Sequence, residues 1–145
     1  MVSAETLVGS RFGFFLEAIH YEYENVDVVT TRISGRTYAT VSDLGFSLVS
    51  EDAALIDTVQ VHGEGSGYGP PALLLPWGLS MSDSRVAVRS KLGSPTRTGG
   101  GDLNPLTGQP IRDWDLFAVR GFRCHVEYLP NHAGIGLLSI GALAN

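Results

Sequence analysis

Leu75-Pro76-Trp77-Gly78-Leu79-Ser80-Met81-Ser82-Asp83-Ser84-Arg85-Val86-Ala87-Val88-Arg89-Ser90-Lys91-Leu92-Gly93-Ser94-Pro95 carries every signal that bounds a short helix. Ser82 is the expected N-cap, with a hydroxyl that can accept from the open amides of the first turn, and Asp83 adds an acidic group there. Arg89 and Lys91 face the negative end of the helix dipole. Gly93 suits the left-handed position past the last turn, and Pro95 forbids continuation. Such a module organises a fold without performing chemistry, and it separates two stretches of similar grammar.

Before it, the Gly63-Glu64-Gly65-Ser66-Gly67-Tyr68-Gly69-Pro70-Pro71 run breaks all periodicity and reads as a loop. Further back, short apolar runs at 38–41, 46–50 and 56–62, divided by turn residues, read as antiparallel strands. Residues 5–20 place Leu7, Val8, Phe12, Phe15, Leu16 and Ile19 near helical spacing, which predicts a first helix despite Gly9 and Gly13. Residues 21–29 alternate and suit an extended segment or an acidic loop. After the central helix, 97–110 is a second loop rich in glycine and proline, followed by strands at 114–119, 122–129 and 136–143.

A shift of 76 residues lays Tyr38 on Trp114, Gly45 on Gly121 and Phe46 on Phe122, and carries part of the first helix onto the second. Chance and a tandem helix-strand-strand-strand duplication both account for so sparse a match. The expected architecture is one α+β domain over residues 1–145, with pseudo-repeat halves at about 5–63 and 78–143. It is a mainly antiparallel sheet with two helices packed on one face. Strand parity assigns Phe46, Leu48, Val59, Val61, Phe122, Cys124, Val126, Tyr128, Leu138 and Ile140 to the core beneath the helices. The opposite face then shows Ser47, Val49, Glu51, Thr58, Gln60, His62, Arg123, His125, Glu127, Leu137 and Ser139, free to bind.

A chain of 145 residues that is 43% hydrophobic and 17% charged supports one buried core. Its net charge of −5 disfavours nonspecific binding to nucleic acid or an anionic membrane and favours a basic partner. Cys124 is the single cysteine, which excludes an intrachain disulfide and a multi-cysteine zinc site. Residues 1–20 have an apolar run broken by Arg11 and Glu17 and lack a basic leader, and no run approaches a membrane span. The expectation is a soluble cytoplasmic protein.

His62-Gly63-Glu64 and His125-Val126-Glu127 each set a histidine and a carboxylate on one face of a strand, where they could pass a proton or bind a metal. A His-x-Glu deaminase site also needs paired cysteine ligands, which one cysteine cannot supply. A solvated or partner-contacting role is therefore the stronger reading. Cys124 alternates with Phe122 and Val126, as a buried structural thiol would. The glycine run lacks phosphate-loop spacing and leads into two prolines, and Ser66 follows Glu64 at one remove, where a nucleophile elbow needs glycine. Trp77 and Trp114 read as core or rim aromatics. Glu17, Glu22, Glu24 and Asp27 form either a solvated acidic face or a dock for a cationic partner.

The segment from Tyr68-Gly69 through Leu75-Pro76-Trp77-Gly78-Leu79, then Ser84-Arg85, Val88, Leu92-Gly93 and Pro95, then Trp114-Asp115 and His125-Val126-Glu127-Tyr128, resembles immunity proteins of bacterial polymorphic toxin systems. The likeness spans roughly residues 36–143. The Leu-Gly-x-Pro helix ending is also similar to modules of β-lactamase-inhibitor-like proteins and small outer-membrane assembly lipoproteins, whose disulfides or lipobox cysteine this sequence lacks. The resemblance implies a non-enzymatic protein that binds one cognate toxin domain and blocks its active site or substrate groove, without cofactor or metal. The expected contact residues are Glu51, Gln60, His62, Arg123, His125 and Glu127, with Tyr68 and Trp77 at the rim. Two other classes stay open: a small enzyme using the His-Glu pairs, and an assembly module.

Overall fold

The computed structural model describes residues 2–23 and 25–143. It is an α+β fold, as the sequence predicts, built on one eight-stranded antiparallel sheet. The strands are β1 (Val29–Ile33), β2 (Arg36–Val41), β3 (Phe46–Ser50), β4 (Thr58–His62), β5 (Arg97–Gly99), β6 (Trp114–Val119), β7 (Phe122–Tyr128) and β8 (Ile135–Ala142). Their order is β1-β2-β3-β4-β8-β7-β6-β5, so each half reads fourth, third, second, first outward from the central β4–β8 pair. Two-residue turns at Ser34-Gly35 and Arg120-Gly121, all four residues at positive φ, close the β1–β2 and β6–β7 hairpins with the twist that the strands require.

Helices α1 (Phe12–Glu22) and α2 (Arg85–Leu92) both lie on one face. Phe15 of α1 meets Phe46 at 6.1 Å between ring centroids, and α2 sends Arg85 and Arg89 to Asp115 of β6. Register puts Phe46, Val61, Leu138 and Val126 in one cross-strand row, and Leu48, Val59, Ile140, Cys124 and Phe117 in the next. Apart from Phe122 at the margin, the predicted core residues are buried beneath the helices. Burial pushes the Cys124 thiol up to about 12, consistent with an inert packing group.

Several boundaries differ from the sequence reading, each for an identifiable reason. The predicted helix over 5–20 is broken: a 3-10 turn at Ala4–Leu7 precedes Gly9, at φ +86°, and α1 starts only at Phe12. The backbone between them is bonded elsewhere, with Gly9 N donating to Ile56 O, Ile56 N to Ser10 O and Phe12 N to Ala54 O, each at 2.8 Å. Those bonds also withhold Ile56 from β4. The N-cap of α2 is Ser84, whose Oγ accepts from Ala87 N at 3.2 Å, and Ser82 lies before the helix. Asp83 accepts from Ser80 N and from Lys91 Nζ, bracing the preceding turn. Helix α1 runs through Glu22 into the segment read as extended, and the loop at 97–110 contains the short strand β5.

Candidate functional site

The face opposite the helices carries most of the predicted contact residues. Three cross-strand rows define it: Tyr38, Val49, Thr58, Gly141 and Arg123; Ser47, Gln60, Ser139, His125 and Leu116; and His62, Leu137, Glu127 and Trp114. The face is not open throughout. Ser47 and Val49 lie on this face, as parity assigns, but are buried and not free to bind.

The cover over Ser47 is the tip of the glycine-rich loop. Tyr68 stacks on His62 with centroids 3.7 Å apart and planes at 8°, and its hydroxyl lies 3.4 Å from Ser47 Oγ. Ser47 Oγ is in turn 3.0 Å from His62 Nε2. A serine–histidine contact of this length invites comparison with a nucleophile, but Ser47 is only 3% exposed under the tyrosine ring. The arrangement closes the surface. Burial lowers the His62 pKa, so the neutral ring is favoured.

Beyond this closed corner, a depression of about 600 Å³ crosses the β4–β8 seam. Thr58, Ser139 and Gly141 form its floor, Arg123 and His125 line one side, and Glu51 and Asp57 line the other. Gly141 keeps the floor low. Glu51 lies just past the end of β3, where it meets Arg36 at 3.4 Å across exposed surface. His125 stacks on Trp114 at 5.1 Å; burial lowers its pKa most, with Glu127 opposing that effect and Arg123 adding to it. Trp114 itself lies against Gly99, where a Cβ would come within 2.6 Å of the indole.

Structure thus brings Glu51, Arg123 and His125 around one trough, places Gln60 and Glu127 beside it on the same face, and sets His62 and Tyr68 at a closed corner. Trp77 does not belong with them. It packs on Phe122 at 5.8 Å on the helix-covered side, which corrects its expected place at the rim. The face carries Arg36, Arg97 and Arg123 against Glu51, Asp57 and Glu127, so the acidic excess of the chain lies elsewhere. Of the acidic cluster predicted near α1, Glu24 falls outside the described residues, while Glu17, Glu22 and Asp27 are exposed.

One group of functional character was missed by the sequence reading. Asp115 is fully buried on the helix side and accepts six hydrogen bonds: from Nε and Nη2 of both Arg85 and Arg89, from Tyr128 Oη and from Thr98 Oγ1, at 2.8 to 3.2 Å. Burial by itself would raise this carboxyl. The bonds from Arg89, Arg85, Tyr128 and Thr98 outweigh it and hold the group well below the ordinary carboxylate range. Arg85 also sits over the Tyr128 ring at 5.3 Å and 3.6 Å from Asp113, which His132 contacts at 2.6 Å. Among the described residues no buried side-chain polar atom lacks a partner, so this network is complete and acts as a clamp between α2 and the sheet. Ser84, Arg85, Val88, Asp115 and Tyr128, which carry much of the sequence resemblance, are the cap, packing and clamp residues of this one joint.

Among the described residues no group of three or more His, Cys, Asp or Glu side chains is placed to hold a metal ion, and no helix is long and apolar enough to cross a membrane. No protein-family model and no curated protein matches the sequence. Among solved structures, the chain is similar to the crystal structure of a cysteine-rich secretory protein from Staphylococcus aureus, with a TM-score of 0.58 at 10% identity. The match covers 97% of this chain and 47% of that one, so the chain spans about half the length of that protein. At that identity the likeness is one of fold alone.

Proposed function

We propose that this chain is a protein-binding module that docks a single partner on its open sheet face, and that the partner is a bacterial toxin domain which the chain neutralises by occlusion. The observation that supports a docking role is the trough over the β4–β8 seam, where Arg123 and His125 face Glu51 and Asp57 across a floor of small side chains. Opposed charges across a shallow groove favour a partner with complementary pairs: a cationic side chain toward Glu51 and Asp57, a carboxylate toward Arg123. His125 on Trp114 supplies a rigid aromatic shoulder of the kind that anchors interfaces. The toxin as partner rests on the sequence resemblance.

Co-expression tests the proposal. A toxic C-terminal domain encoded beside this gene should be tolerated by cells only when this chain is present, and the two should co-purify. Toxicity undiminished by the chain, with no complex formed, would reject the toxin as partner.

A further inference from the structure

The outward side of α1 differs in character from the sheet face. Phe14 and Tyr21 are 74% and 92% exposed, and seven residues of helix set them about 10 Å apart on the same side. Ala18 lies between them and Leu55, 46% exposed, continues the patch beyond Phe14. Glu17 and Glu22 flank the aromatic pair, and Arg11 lies at its Phe14 end. Beside Phe14 opens an apolar cavity of about 300 Å³, walled by Phe15, Ile19, Phe46 and Leu73.

We infer that this face of α1 is a second docking surface, for an amphipathic segment of another protein that presents lysines or arginines beside apolar side chains. Contiguous exposed aromatics next to an apolar recess mark an interaction site, and aromatic anchors dominate such interfaces. Charge then selects the occupant. The carboxylates of Glu17 and Glu22 set its sign over the later turns of α1, past the single Arg11 at the Phe14 end. An anionic lipid surface is repelled by the same carboxylates. A cationic segment is attracted by them, with its basic groups over the later turns of α1 and its apolar side chain in the recess. This surface is distinct from the trough and does not depend on it.

A short synthetic amphipathic peptide of leucine and lysine, fluorescently labelled, tests the inference by anisotropy against the same peptide with glutamate in place of lysine. The lysine peptide should bind at least about tenfold more tightly than the glutamate version. Phe14→Ser with Tyr21→Ser, both exposed and so without effect on folding, should weaken it by about tenfold or more, as should Glu17→Lys with Glu22→Lys. Equal binding of the two peptides, no binding of the lysine peptide, or binding that survives both double variants would overturn the proposal. Binding lost instead in Arg123→Ala with His125→Ala would assign the peptide to the trough, and self-association abolished by the aromatic variants would assign the face to a second copy. Each of those results also rejects it.

Discussion

Arg89 grips Asp115 through two parallel hydrogen bonds, Nε to Oδ2 at 2.9 Å and Nη2 to Oδ1 at 2.8 Å, across a carboxylate that has no exposed surface. Arg85 repeats the grip from one turn earlier. Removing the shared anion strands two guanidinium groups at once. Asp115→Ala should destabilise the fold by about 3 kcal/mol, the low end for breaking a buried pair, because Arg89 is partly exposed and can rehydrate. Arg89→Met should cost less, since Arg85 continues to pair the carboxylate. Urea denaturation measures both, and equal losses would show that Arg85 alone cannot hold the joint.

The same carboxylate gives stability a pH dependence of fixed sign. Its pKa is depressed in the folded state, so its contribution is fully present above the unfolded value of about 3.9 and is lost as pH falls through the lower folded value. Denaturation midpoints should therefore drop below about pH 4, and Asp115→Asn should show a shallower drop over the same range.

His62 acts in a higher window. Burial lowers its pKa below the unfolded value of about 6.5, so the unfolded chain binds the extra proton between the two values and stability rises with pH through that interval. His62→Gln should flatten the stability profile on the acid side of neutrality and leave Tyr68 more accessible to iodination. An unchanged profile would show that the stacked pair does not hold the loop.

Gly45 holds the other end of that loop. It sits at φ +74°, and a Cβ there would come within 2.5 Å of Gly69 O and 2.8 Å of Pro71. Gly45→Ala combines left-handed strain with a backbone collision and should destabilise by about 2 kcal/mol or more. Gly65→Ala, in open space at φ +77°, carries the strain without the collision and should cost less in the same thermal melts.

The legible parts of this fold were those with a short-range pattern. Alternation within 46–50, 56–62 and 122–129 identified β3, β4 and β7 and sorted their faces, and the cap and stop residues identified α2. β1 was missed although four of its five residues are β-branched, because only Val29 and Ile33 at its ends are apolar and neither is buried. β5 is three residues long. Gly9 to Phe12 looked helical locally, but long-range bonds to 54–56 took its backbone, an outcome that no local window contains. For the candidate site, parity placed Gln60, Arg123, His125 and Glu127 on one face, while the burial of Ser47 depended on a loop more than fifteen residues away closing over it. Asp115 was invisible as a clamp because its arginine partners lie 26 and 30 residues upstream.

The proposal that the sheet face docks a partner is tested most directly by the affinity of the co-purified toxin domain for the Arg123→Ala, His125→Ala double variant, measured by calorimetry beside the native chain. Both side chains line the trough and neither is part of the core, so the variant should fold normally. A loss of at least about tenfold, or 1.4 kcal/mol, is predicted. Affinity retained within about 1 kcal/mol would contradict the assignment of this face.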